Sequence, residues 1–337
     1  MTLARDVERA DASDRLGLVM SPPKPELADP LGPLLAARGV VVLDGGLATE
    51  LERAGFDLDH PLWSARLLET APAAIAAVHR SYLEAGADCL TTASYQATLA
   101  VFERGGRTRA EAVALLQRSV SLALDVRDGF WADERNHSGR SRPLVAASVG
   151  PYGAFLANGA EYTGDYGLDE AGLREFHRER LSLLAASGAD LLACETIPSA
   201  IEAQALGGLL SGSSGLPAWV SFSCRDGSRL RDGTLLEECV RLVDPLPRVV
   251  AIGVNCTAPE HVESLLHAAA RATRKPLVAY PNSGETYDAV AKAWRGPTIP
   301  ERWGELARLW HAAGARLVGG CCRTGPDEVR TLRATLS

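Results

Sequence analysis

The chain has 337 residues, 46% hydrophobic and 23% charged, which is enough apolar material for a large core and excludes a disordered or low-complexity protein. Its 42 acidic against 35 basic residues give a formal charge of -7 with no long basic run, so no nucleic acid partner is expected. No apolar run reaches the roughly 18 to 20 residues of a membrane span, and no membrane association is expected.

Residues 1–33 are mixed in charge and contain Pro22, Pro23, Pro25, Pro30 and Pro33, so they read as an irregular N-terminal extension. The start has no basic segment followed by an apolar one, its acidic residues Asp6, Glu8, Asp11 and Asp14 argue against an organellar transit peptide, and the cysteines are odd in number; together these favour a reducing cytoplasm. Residues 34–337 read as one domain.

From residue 40 a rhythm begins. Short apolar runs recur at 40–44, 89–93, 144–149, 190–195, 218–223, 249–255, 277–280 and 316–320, and between them lie segments with helical spacing at 71–85, 109–127, 169–187, 259–273, 300–313 and 326–336. Pro259, Pro300 and Pro326 suit helix starts, and Gly86, Gly188 and Gly314 each follow a helical run and precede a strand, the place for a left-handed cap. Apolar strands alternating with helices predict a parallel sheet covered on both faces. Eight such units fit a closed (β/α)8 TIM barrel better than a doubly wound sheet. The text after the first strand, Asp44-Gly45-Gly46-Leu47-Ala48-Thr49, also lacks the G-x-G-x-x-G of a dinucleotide site.

A barrel places its chemistry at the carboxyl ends of the strands. There the sequence has Asp44-Gly45-Gly46, Thr91-Thr92, Cys194-Glu195-Thr196, Asn255-Cys256 and, after Gly319-Gly320, Cys321-Cys322. Three thiolates can hold one zinc, and three protein ligands with an open position are the catalytic pattern. Adjacent cysteines on a regular strand point to opposite faces, so both reach one ion only where the strand ends or bulges, which the glycine pair allows. On these grounds alone, ordinary buried thiols remain an equal alternative.

Taken together, DGG after the first strand, Thr92 on the second, CET on the fourth, GVNC on the sixth and GGCC on the eighth resemble the zinc-dependent homocysteine S-methyltransferases over roughly residues 38–336. The resemblance implies a (β/α)8 barrel with Zn2+ held by Cys256, Cys321 and Cys322. It further implies that Asp44 and Glu195 hold the homocysteine ammonium, and that Thr92 and the amides near Gly45 and Gly46 meet its carboxylate. Asn255, beside a ligand, is expected to brace the site. A free thiol is only about 3% thiolate at pH 7, whereas a zinc-bound thiol is deprotonated. The implied reaction is in-line attack of the zinc-bound homocysteine thiolate on the methyl group of a small sulfonium donor, giving methionine.

Trp63 matches one position of the aromatic cage used by betaine-dependent members. Gln96 after Tyr95 and Thr196 after Glu195 depart from that cage. Residues 148–166 and 280–288 instead resemble the branch that uses S-methylmethionine, or S-adenosylmethionine less well, with Tyr152, Glu161, Tyr162 and Tyr280 as candidate donor contacts. The alternatives are a betaine- or corrinoid-dependent methyltransferase and a non-enzymatic thiol redox sensor. Cys89, Cys194, Cys224 and Cys239 read as core thiols. The histidines, among them His79 and His261, read as outer-face residues of helices.

Overall fold

Alternating side-chain direction along each strand divides this sequence into two cores. The structure, a computed structural model, describes residues 29–58, 66–211, 215–288, 293–296 and 298–336. Its strands are β1 (Val41–Val42), β2 (Cys89–Thr91), β3 (Leu144–Val149), β4 (Leu191–Ile197), β5 (Ala218–Phe222), β6 (Val249–Asn255), β7 (Leu277–Tyr280), β8 (Thr286–Asp288), β9 (Ala293–Arg295) and β10 (Ala315–Val318).

Eight of them form one sheet in the order β1-β10-β7-β6-β5-β4-β3-β2, with every pairing parallel. The parallel bridge Leu43–Cys89 joins the two edges and closes the barrel, supported by Asp44 N–H to Cys89 O at 3.1 Å and Asp88 N–H to Val42 O at 2.6 Å. This is the expected (β/α)8 barrel. The antiparallel hairpin of β8 and β9 was not expected. It lies on the loop after β7, and three-residue strands are too short for periodicity to show.

The inner core contains Leu43, Cys89, Leu144, Ala146, Leu191, Ala193, Trp219, Ala251, Val278 and Leu317. The residues between them, such as Leu90, Val145, Leu192, Cys194, Val220 and Ile252, face the helices. Helices follow the predicted runs closely: Pro72–Ala85, Arg109–Trp131, Glu170–Ala185, Pro259–Ala272, Trp303–Ala312 and Pro326–Leu336. Gly86, Gly188 and Gly314 all have positive φ, as their cap positions require. A helix at Leu31–Arg38 begins inside the stretch read as irregular, and its Leu31 and Leu34 join the inner core. Residues 1–28 lie outside the described residues.

The expectation for His79 was wrong. It is 1% exposed, and neither ring nitrogen has a hydrogen-bond partner among the described residues. Burial lowers its pKa to about 4. Cys89, Cys194, Cys224 and Cys239 are buried, as core thiols should be. No helix among the described residues is long and apolar enough to cross a membrane.

Candidate active site and metal centre

Continuing the inner alternation by two residues per strand turns the barrel lining from apolar to polar. Cys89 gives way to Thr91, Ala146 to Ser148, Ala193 to Glu195, Trp219 to Ser221, Gly253 to Asn255 and Val278 to Tyr280. These residues meet at the carboxyl ends of the strands. Burial there demands partners for each of them.

Glu195 receives the Ser148 hydroxyl on Oε1 and the Tyr280 hydroxyl on Oε2 at 3.0 Å. Tyr280 Oη in turn accepts from Trp219 Nε1 at 3.0 Å and lies 2.6 Å from Ser221 Oγ. Asp44 takes the Thr91 N–H on Oδ2 at 2.7 Å and the Thr91 hydroxyl on Oδ1 at 2.9 Å. Burial pushes the pKa of Asp44 up to about 8 against the Thr91 hydrogen bonds. For Glu195 burial raises it to about 7, opposed by the bonds from Ser148 and Tyr280.

Thr92 is part of a closed ring. Its Oγ1 accepts from Ser148 N–H at 3.0 Å and lies 2.6 Å from Ser94 Oγ. Ser94 gives its only proton to Ser148 O at 2.7 Å, so the Thr92 proton goes to Ser94.

The thiols lie past the strand ends. Cys256 follows β6 in a left-handed conformation, φ 48, and Cys321 and Cys322 follow Gly319 and Gly320 beyond β10. The adjacent pair is freed from strand alternation, as the glycines suggested. Its turn is pinned by Cys321 N–H to Pro281 O at 2.8 Å, Gly320 N–H to Asp44 O at 3.0 Å and Cys322 N–H to Asn282 Oδ1 at 3.2 Å. Gly46 is required beside it, because a Cβ there would lie 2.6 Å from Cys321 O. The Gly46 N–H is donated to Thr324 O at 3.1 Å.

All three sulfurs lie within 4.8 Å of one another, the only such group of potential metal ligands among the described residues. Cys256 Sγ is 3.8 Å from Cys322 Sγ, and Cys321 Sγ is 3.9 Å from Cys322 Sγ. Two sulfurs on a tetrahedral zinc at about 2.3 Å would be separated by about 3.8 Å. Soft donors at that spacing fit such an ion.

Asn255 Oδ1 accepts from Thr196 N–H at 2.7 Å and Ser221 Oγ at 2.9 Å, while Nδ2 donates to Thr196 Oγ1 at 2.8 Å. Cys321 Sγ lies 4.0 Å from the same nitrogen.

One cavity is lined by Asp44, Gly45, Gly46, Thr92, Glu195 and all three cysteines. Asn255 stands behind the wall, with no exposed surface. Trp63 lies outside the described residues. Glu161, Tyr162 and Tyr280 line the cavity, as do Tyr95 and Gln96. Tyr152 does not line it; its ring packs on Phe155, Tyr166 and Phe176. Sequence reasoning missed Thr91 and Ser148 as carboxylate supports and Ser221 as the support of Asn255 and Tyr280, although strand alternation puts all three on the inner face.

A closed barrel with two buried carboxylates facing three clustered thiols defines a metal-capable, thiol-handling enzyme of the barrel class. A sequence profile of the homocysteine S-methyltransferase family matches residues 41–336, and the chain belongs to that family. It is 47% identical over 306 residues to homocysteine S-methyltransferase YbgG of Bacillus subtilis, covering 91% of this chain and 97% of the relative. It is 46% identical over 308 residues to a selenocysteine Se-methyltransferase of Brassica oleracea, covering 88% and 89%. The metallated crystal form of the homocysteine methyltransferase MmuM from Escherichia coli superposes with a TM-score of 0.81 at 44% identity, covering 91% of this chain and 99% of that one.

Proposed function

We propose that this homocysteine S-methyltransferase takes its methyl group from S-methylmethionine, with Zn2+ held by Cys256, Cys321 and Cys322. The observation that carries the reading is the convergence of three sulfurs with Asp44 and Glu195 on one cavity. Bound zinc would supply acidification of the substrate thiol, so that its thiolate is available at neutral pH.

The protein's own residues do the positioning. Asp44 and Glu195 receive the homocysteine ammonium, which favours their ionised forms over the neutral ones that burial promotes. The carboxylate meets backbone amides near Gly45 and Gly46, other than the Gly46 N–H that Thr324 O already holds, and the Thr92 hydroxyl, which turns away from Ser94 to donate to it. Asn255 keeps Cys256 and the end of β4 in register. With the two substrates held in line, the homocysteine sulfur forms a bond to the methyl carbon. The bond from that carbon to the donor sulfur breaks, and its electron pair stays on the donor, so two methionines result.

The polar groups set in the cavity wall, among them Gln96, Glu161 and Thr196, support a donor with an amino acid end. Gln96 and Thr196 occupy cavity positions where betaine-using members have aromatic residues. Methionine formation with S-methylmethionine, S-adenosylmethionine and betaine offered separately tests this. A clear preference for S-methylmethionine and little turnover of betaine are expected, and the reverse order would overturn the donor assignment.

A further inference from the structure

Of the carboxylates that line the cavity, Asp44 and Glu195 are held by side-chain donors, and Glu161 is not. Glu161 is 6% exposed, and its Oε2 has no hydrogen-bond partner among the described residues. Among the described residues no arginine, lysine or histidine pairs with it. A buried acceptor without a donor costs free energy, and a cavity that admits a cationic ligand is where such an acceptor can be satisfied.

The residue is held firmly from behind. It sits in a 3-10 turn, Ala160–Tyr162, closed by Tyr162 N–H to Gly159 O and Thr163 N–H to Ala160 O, each 3.0 Å. The helix Tyr152–Leu156 packs so closely on this turn that a Cβ on Gly153 would lie 2.3 Å from Glu161 N. The next residue, Tyr162, has the Arg231 guanidinium over its ring at 5.4 Å. The turn that carries Glu161 is therefore fixed, and the residue lines the cavity alongside Tyr95 and the three cysteines.

We infer that Glu161 accepts a hydrogen bond from the primary ammonium of the methyl donor and so selects an amino acid sulfonium. The inference rests on the donor reading above and adds the residue that enforces it. Hydrogen-bond chemistry decides which cation is meant. A sulfonium centre and a quaternary ammonium carry no N–H or O–H and leave Oε2 as unsatisfied as before, whereas a primary ammonium supplies the missing donor. The homocysteine ammonium is assigned to Asp44, just past β1, and Glu195, on β4, so the ammonium for Glu161 comes from the second substrate. Betaine would meet a buried acceptor it cannot pair with, which is rejection as well as poor attraction.

The test compares kcat/KM for S-methylmethionine with that for its desamino analogue, 4-dimethylsulfoniobutanoate, in the full zinc-supplemented chain and in Glu161→Gln. The parent is expected to favour the amino donor by about 10- to 100-fold, the range for a buried charged hydrogen bond. In the variant the ratio should fall several-fold with the KM for homocysteine unchanged. Should Glu161→Gln not fold, Glu161→Asp, which withdraws the carboxylate by one methylene, carries the same expectation. A parent that uses both sulfoniums equally, or a variant that slows both alike, would overturn the role of Glu161 and leave the donor reading standing. A parent that turns over betaine and neither sulfonium would overturn both.

Discussion

Asn255 and Thr196 are clamped to each other by two hydrogen bonds, Thr196 N–H to Asn255 Oδ1 at 2.7 Å and Asn255 Nδ2 to Thr196 Oγ1 at 2.8 Å. The residue before one of the three clustered thiols, Cys256, is thereby tied to the residue after the buried cavity carboxylate Glu195. Thr196 and Cys256 both adopt left-handed conformations, φ 62 and φ 48, each costing about 1–3 kcal/mol that the surroundings must offset. Removing the clamp should release that strain beside the proposed metal site. Asn255→Ala is predicted to weaken zinc binding by about 10- to 100-fold, as loss of a supporting hydrogen bond typically does. Competition with a chromophoric chelator measures it, and unchanged affinity would show that the clamp does not shape the centre.

Tyr280 is predicted to matter through Glu195. Its hydroxyl donates to Glu195 Oε2 at 3.0 Å and opposes the burial that raises this carboxyl to about 7. Tyr280→Phe removes a donor to the ionised form, so the Glu195 pKa should rise further. The KM for homocysteine is expected to increase by about 5- to 20-fold at pH 7, with a smaller effect at pH 8.5. An equal loss at both pH values would mean that Tyr280 acts only by packing.

The same two carboxylates set a pH dependence in the parent. With Asp44 at about 8 and Glu195 at about 7 in the free protein, lowering the pH neutralises groups that must be anionic to hold an ammonium. The kcat/KM for homocysteine should therefore fall from pH 8 towards pH 6. A profile flat across that range would contradict the assignment of both residues to the ammonium.

Stability should show a separate dependence from His79. Its folded pKa of about 4 lies below the ordinary 6.5, so the unfolded chain binds a proton that the folded chain refuses. The contribution is complete above pH 6.5 and is lost as the pH falls towards 4. Between pH 7 and pH 5 it amounts to about 2 kcal/mol. Denaturant unfolding of the parent and His79→Leu at both pH values checks this. The parent is expected to lose about that much more than the variant, and parallel losses would show that His79 is not held neutral.

The barrel was legible because its strands are apolar runs and its helices end at glycines such as Gly86 and Gly314, both local signals. The carboxylate and thiol set was legible because these residues fall at strand ends. The supports were harder to see. Ser148 and Ser221 look like ordinary strand serines until the neighbouring strands are in register, since their partners Glu195 and Tyr280 are far away in sequence. His79 was misread although Ile75, Val78, Tyr82 and Leu83 share its buried face; a polar residue at a core position yields to the packing around it. The hairpin of β8 and β9 left no periodic trace, and Trp63 falls outside the described residues.

The most direct test of the account is the zinc content of the freshly reduced chain and of Cys256→Ser, Cys321→Ser and Cys322→Ser, each with methionine formation measured on the same sample. About one zinc per chain in the parent, with metal and activity lost together in all three variants, is the predicted result. A parent that forms methionine without zinc, or a variant that keeps both, would show that these three sulfurs are not the metal centre of the reaction.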